Sequence, residues 1–299
     1  MALRIGDLAH SQRLIATMGG VRARLVDDQA AAASGKAAAS YDRIADRAGE
    51  LLRVRDASAV RSALAERNER LGRELQLMDG ALGAVVDIAS RARVAVLQRL
   101  DGGLGDAVPL EGEIDSLLAQ VEDALNMRFD GRYLFGGTRT DAPPVSLPAT
   151  PATTADPTLY YRGDQVRLSV RADLGVELTY GVTADAAPFA ELIAALGQAR
   201  AAHLADDGAG LAAAAAGLET ALDGLTDLRA QAGVAAAQLE SVTEGQRSAL
   251  LYLDEVTSSI EDTDLAATLT RIANDQAGLE AAYAVTARLA SLSLADYLR

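Results

Sequence analysis

Residues 262–299 read DTDLAATLTRIANDQAGLEAAYAVTARLASLSLADYLR. Within them Leu265, Leu269, Ile272, Gln276, Leu279, Tyr283, Thr286, Ala290 and Ser293 follow one another at spacings of four and three. That is the seam of one continuous helix, with apolar and small residues on a single stripe. At 1.5 Å of rise per residue the helix is roughly 50 Å long, too long to bury its stripe in one compact core. It needs a second long helix beside it, from this chain or from a neighbour. Asp262, Thr263 and Asp264 precede it as cap residues and set negative charge at the positive end of the helix dipole.

Working back from that end, Leu218, Leu222, Leu225, Arg229, Ala232, Ala236, Leu239, Thr243, Gln246, Leu250 and Leu253 hold one heptad register. The spacing predicts a helix over 211–256, with a glycine-bearing gap before it at Gly208–Gly210 and a break after it at Glu261–Asp264. Polar residues on such a seam reduce stability but fix register and partner number. At the other end, residues 3–33 read as a helix with Leu14, Met18, Val21 and Leu25 on one stripe, stopped near Ser34-Gly35-Lys36 by a glycine free to turn left-handed. A further seam, Leu64, Leu71, Leu75, Met78, Leu82, Val85, Ala89, Ala92 and Val96, predicts a helix from 57 to 100 that stops at Gly102-Gly103. Pro109 opens another helix, with Ile114, Leu117, Val121 and Leu125 inward, running to about Phe129.

Five of the chain's 7 prolines (Pro143, Pro144, Pro148, Pro151 and Pro157) then crowd together, so no helix continues there. Thr158–Arg162, Gln165–Arg171 and Gly175–Gly181 are short, rich in Tyr, Val, Leu and Thr, and bounded by turn residues. They read as strands of a small sheet, with Arg162-Gly163-Asp164 as hairpin chemistry rather than an adhesion signal. After Pro188 a short helix runs to about His203. The fold class is mainly α: a long antiparallel, coiled-coil-like helical rod formed by the N- and C-terminal halves, with a small β-containing insert. The expected domains are a terminal helical assembly domain (1–56 and 257–299), a helical rod domain (57–142 and 186–256) and a β-rich insert (143–185).

Composition fits such an architecture. Of 299 residues, 49% are apolar but only 4% aromatic, which suits thin helical bundles better than a thick core. No apolar run is long enough to span a membrane, and Arg4, Asp7 and Arg13 interrupt the opening residues, which therefore read as neither a membrane span nor a cleavable signal. With no cysteine there is no disulfide framework and no thiolate metal site. Residues 1–100 hold 16 Lys+Arg against 12 Asp+Glu, and the remainder holds 12 against 30, for a net charge of −14. This polarity argues against nucleic acid as the main partner and suits head-to-tail or side-by-side self-association.

No catalytic, cofactor-binding or metal-binding residues are predicted. The two histidines (His10 and His203) stand apart, and no phosphate-cradling glycine loop or nucleophile elbow is present. Glu111, Glu113 and Asp115, like Asp262 and Asp264, read as helix-start carboxylates. Lys36, the single lysine, lies in a turn without an apolar pocket, and Asp206-Asp207-Gly208 lacks the alternating ligands of a calcium loop.

Residues 126–144, NMRFDGRYLFGGTRTDAPP, carry Asn126, Gly131, Tyr133, Leu134, Phe135, Gly137, Thr140, Pro143 and Pro144 at the spacing of a known pattern. The stretch resembles the one that closes the first helical half in the hook-associated protein 3 family of flagellar hook-filament junction proteins, relatives of flagellin. Tyr160, Gly163, Asp164 and Tyr180-Gly181-Val182 are similar to that family's insert, and Ser34-Gly35-Lys36 to the turn after its first helix. Arg229, Gly233, Leu239, Glu240 and Ser241 resemble the flagellin Arg-Gly-Leu-Glu-Ser signature. Asp264-Leu265-Ala266 and Leu292-Ser293-Leu294 resemble the start and end of its C-terminal helix. Two departures stand out: Tyr41-Asp42-Arg43-Ile44-Ala45 replaces the family's Asp-Asp-Pro, and the polar positions after Gly233 are alanines.

The resemblance implies a non-enzymatic structural subunit without cofactors, exported unfolded through the flagellar type III pathway and assembled outside the cell at the hook-filament junction. Its implied partners are further copies of itself, the other hook-associated protein, flagellin and an export chaperone, with no nucleic acid. The expected assembly seam comprises Leu14, Met18, Val21, Leu25, Leu265, Leu269, Ile272, Leu279, Tyr283 and Leu289. A filament-forming flagellin and an unrelated coiled-coil interaction protein are the competing readings.

Overall fold

The computed structural model describes residues 2–37, 46–101 and 110–297, with side chains from residue 12 to residue 288. Six α-helices carry most of these residues: α1 (Ala2–Ser34), α2 (Ala48–Leu100), α3 (Leu110–Leu125), α4 (Ala187–Leu204), α5 (Gly208–Glu261) and α6 (Leu265–Tyr297). Two antiparallel pairs of short strands interrupt them, β1 (Arg128–Phe129) with β2 (Arg132–Tyr133), and β3 (Leu168–Asp173) with β4 (Val176–Tyr180). The chain divides into two compact units, residues 1–60 with 249–299, and residues 61–248. Both boundaries fall inside a long helix, α2 and α5.

The larger unit is built on the predicted seams. Met78, Leu82, Val85, Ala89 and Val96 of α2 meet Leu211, Leu218 and Leu225 of α5, with Ile114, Val121 and Leu125 of α3 and Phe189, Ile193 and Leu196 of α4 in the same core. Leu, Ile and Val dominate this core, and Phe135 meets Phe189 edge to face at 6.3 Å between centroids. Ion pairs rim it: Asp79 with Arg229 at 2.8 Å, and Arg200 of α4 with Glu111 at 2.5 Å and Asp115 at 3.0 Å on α3. Glu111 and Asp115 thus tie α4 to α3, beyond the helix-start role read from sequence. His203 accepts a hydrogen bond at 3.1 Å from Arg99, which also pairs with Asp206.

Several boundaries differ from the sequence reading. The helix predicted from 57 begins at Ala48, because Leu51 is already buried and Glu50 supplies first-turn negative charge. The helix from Leu110 ends at Leu125, four residues early, because Asn126 turns out of it and spends its side chain on the chain ahead: its Oδ1 accepts from Val145 N at 3.0 Å and its Nδ2 donates to Val145 O at 2.9 Å. No gap lies at Gly208–Gly210, which form the first turn of α5; Asp207 caps it by accepting from Ala209 N at 3.0 Å, and the break falls at Asp206, at φ 52°. The expected stop at Gly102-Gly103, Pro109, and Tyr41–Ala45 lie outside the described residues.

The strands also depart from expectation. β1 and β2 lie before the expected β-rich insert (143–185), joined by Asp130 and Gly131 at φ 48° and 79°, the two positive values a tight right-twisting hairpin turn requires. Thr158–Arg162 is not a strand. Pro157–Leu159 forms a 3-10 turn capped by Asp156, and only Tyr161 pairs, as an isolated bridge with Val145. Arg162-Gly163-Asp164 is accordingly no hairpin turn: Asp164 accepts from the backbone N–H groups of Thr138 and Val166, each at 3.0 Å, and from the Thr138 hydroxyl. These bonds hold its carboxyl below the usual carboxylate range. The true hairpin is β3–β4, turning at Leu174-Gly175.

Candidate assembly interface

In the smaller unit α1 and α6 run antiparallel. Met18 meets Thr286 at 3.9 Å, Arg24 faces Asp275 at 3.6 Å, and Arg271 faces Asp28 at 3.3 Å, so partners descend along one helix as they ascend the other. The pair is tied at one end where the chain enters α6. Gly35, at φ 71°, stops α1, and its carbonyl accepts from Thr263 N at 2.9 Å. Lys36 pairs through its backbone with Asp262 as an isolated bridge. The Lys36 ammonium reaches Asp262 at 2.7 Å and Glu261 at 3.6 Å. The single lysine is therefore a tie, and the hydrogen bond to Asp262 raises its pKa while lowering that of Asp262. Asp264 then caps α6 by accepting from Ala267 N at 3.0 Å, as its place before the seam predicts.

The face that α6 turns to α1 is not the one its leucines suggest. Thr268 and Leu279 are buried, and Ile272, Asp275, Ala282 and Thr286 are half-buried. These positions have the same spacing of four and three as the predicted stripe, set about 40° to one side of it. Ile272, Leu279 and Thr286 belong to both. Leu265, Leu269 and Tyr283, by contrast, are 50%, 52% and 51% exposed. Of the two partners the sequence leaves open for this stripe, a helix of this chain or a neighbour's, α1 does not cover these three residues, and the inner positions beside it are taken by polar contacts. Arg271 must reach Asp28, which is buried, and Thr268 Oγ1 accepts from Arg271 at 2.8 Å while sharing a hydrogen bond of 2.9 Å with Thr263. The network occupies the flank of α6 beside Asp28 and leaves the leucines on the other flank.

On α1 the predicted stripe does face inward: Leu14, Met18, Val21 and Leu25 are half-buried, with Asp28 and Ala31 buried beyond them. Its outer side carries Ile15 and Val26, 60% and 59% exposed. Leu289 has no described side chain. Sequence reasoning missed Asp28, Thr268, Arg271 and Asp275 as contact residues; the signal for Thr268 and Asp275 was a second set of spacings, 268–272–275–279–282–286, masked by the larger side chains beside it, and for Asp28 its place three residues after Leu25 on the α1 stripe.

The other singled-out residues lie in the larger unit and are packing elements. Gly131 makes the β1–β2 turn, and Tyr133 carries the Arg128 guanidinium 4.9 Å over its ring. Leu134 and Phe135 are buried. Gly137, at φ 68°, leaves space that Asp164 fills, and Thr140 accepts from Arg132 at 3.2 Å. Arg229 grips Asp79, Leu239 is buried, and Gly233 lies open on α5. Among the described residues no cluster of acidic, histidine or cysteine side chains could hold a metal ion. No described helix is long and apolar enough to cross a membrane.

Residues 215–298, which span most of α5 and α6, match the bacterial flagellin C-terminal helical region. No curated protein matches the chain. Its fold is shared with solved structures. A putative flagellar hook-associated protein from Vibrio parahaemolyticus is 17% identical, with a TM-score of 0.58 over 70% of this chain and 95% of its own. FlgL of Bacillus cereus is 19% identical, with a TM-score of 0.53 over 64% and 98%. Flagellar hook associated protein-3 from Legionella pneumophila is 15% identical, with a TM-score of 0.52 over 74% and 98%.

Proposed function

We propose that this chain is a structural subunit of the bacterial flagellum, placed at the hook-filament junction and assembled through the outward flank of its terminal helices. One observation carries the reading. The segment that matches a flagellin C-terminal helical region, 215–298, is the one whose final helix holds Leu265, Leu269 and Tyr283 half-exposed in a single chain. Large apolar side chains on one flank of a helix whose other flank is occupied call for a second helical surface. The shared fold with proteins described as hook-associated supports the junction in particular.

On this reading residues 1–56 and 257–299 form the assembly part, and the work is mechanical and non-enzymatic. Copies of the chain meet head to tail, a hook-associated protein and flagellin lie on either side, and the subunit leaves the cell unfolded by the flagellar export route with a chaperone over its C-terminal helix. Immunogold labelling of shed flagella with an antibody to residues 145–185 tests it. A band confined to the hook end is expected. Label along the whole filament would make the chain a filament flagellin instead, and absence from flagella would overturn the reading.

A further inference from the structure

The larger unit contains one fully buried polar pair that the assembly reading does not use. Asn68 of α2 and Gln246 of α5 are 1% and 0% exposed, and Asn68 Nδ2 donates to Gln246 Oε1 at 3.0 Å. Asn68 fills the gap in the α2 seam between Leu64 and Leu71, and Gln246 lies between Leu239 and Leu250 on the α5 seam. Both amides also donate, each at 2.7 Å, to a single acceptor, the carbonyl of Ala172. That carbonyl is free because the β3–β4 register shifts between Arg171 and Asp173, so the bulged residue Ala172 has no cross-strand partner. Arg67 donates to the Arg171 carbonyl beside it, and Arg61 faces Asp173 at 3.6 Å.

We infer that Asn68, Gln246 and the Ala172 carbonyl form a register lock, which fixes how far α2 slides along α5 and seats the β3–β4 hairpin at that one level. Apolar seams repeat every seven residues, so sliding these antiparallel helices by one heptad would again set apolar against apolar. The slide would leave Asn68 buried against a leucine of α5 without its amide partner. Desolvating an unpaired amide forbids that register, whereas swapping leucines between equivalent positions does not. The lock contributes specificity at the expense of raw stability: Asn68 Oδ1 is buried without a partner even in the native register.

The chain has no cysteine, so an engineered pair reports the register cleanly. Gly72 faces Leu239 across the two helices, its added Cβ 3.9 Å from the leucine. Oxidising Gly72→Cys/Leu239→Cys reads the native register, and Gly72→Cys/Ala232→Cys reads a register one heptad away. In the otherwise native chain only the first pair is expected to cross-link. In Asn68→Leu/Gln246→Leu both pairs should cross-link, with helical content kept and hydrogen exchange at residues 168–180 at least tenfold faster. Cross-linking only at the native pair in the double-leucine variant would overturn the lock. So would loss of helical content in that variant, which would make the pair an ordinary stabilising contact.

Discussion

Gly137 shows how much one residue without a side chain can carry. Its φ of 68° is costly for any other residue, and an added Cβ would collide with both the carboxylate and the backbone carbonyl of Asp164. Gly137→Ala should destabilise the larger unit by about 2–4 kcal/mol, the sum of backbone strain and the lost Asp164 ties, read from urea unfolding. Tyr160 is buried and donates to the Ala184 carbonyl at 2.9 Å, while burial pushes its pKa upward, so the phenol stays protonated and a donor at all physiological pH. Tyr160→Phe should cost about 1–3 kcal/mol through the orphaned carbonyl. At Asp79 the Arg229 guanidinium lowers the carboxyl pKa, so the ionised form is favoured in the fold. That stability is present above the ordinary carboxylate pKa of about 4 and is lost as pH falls through the depressed folded value. Both partners are substantially exposed, so solvent screening keeps the contribution below about 1 kcal/mol. Asp79→Asn should flatten the acid limb of stability against pH; an unchanged limb would mean the pair contributes nothing.

Helix α6 presents two flanks, one against α1 and one open, that its sequence shows as a single stripe. Leu279 faces α1 and is 7% exposed, whereas Leu269 faces solvent. Leu279→Ala should loosen the α1–α6 pair by about 2–3 kcal/mol, seen as faster proteolysis of both ends. Leu265→Asp/Leu269→Asp should leave that proteolysis unchanged and abolish assembly, seen as loss of motility in cells carrying only the variant. The helices themselves were legible because heptad spacing survives any tertiary arrangement, as the α2 and α5 seams illustrate. Which flank of α6 meets α1 was not legible, because Asp28, lying on a different helix, decides it through Arg271. The β1–β2 hairpin was overlooked although Asp130-Gly131 is a strong turn signal; two-residue strands are too short to alternate visibly. Thr158–Arg162 misled for the opposite reason, since its Tyr and Thr content mimics a strand while Pro157 and Asp156 commit it to a turn.

For the whole molecule, the two units differ in what holds them. The larger has a contiguous core drawn from α2 to α5; in the smaller, Leu51 of α2 and Ile260 of α5 are buried, while along the described α1–α6 contact the buried residues are Asp28, Ala31, Thr268 and Leu279. A helix pair gains most of its order from packing, so limited proteolysis of the isolated chain should trim residues 2–34 and 265–297 well before it cuts 61–248. Each half-exposed leucine or tyrosine on the outer flank has about half of its surface left to cover, on the order of 0.7–1.5 kcal/mol on burial, so several of them together would drive ordering if a neighbouring copy supplied the surface. Chemical accessibility reads that burial directly, and the cysteine-free chain allows it without background. With Leu269→Cys as the sole thiol, a maleimide reagent should label the isolated subunit readily and the subunit within intact purified flagella at least tenfold more slowly. Equal labelling in the two states would contradict the claim that this flank is the assembly surface.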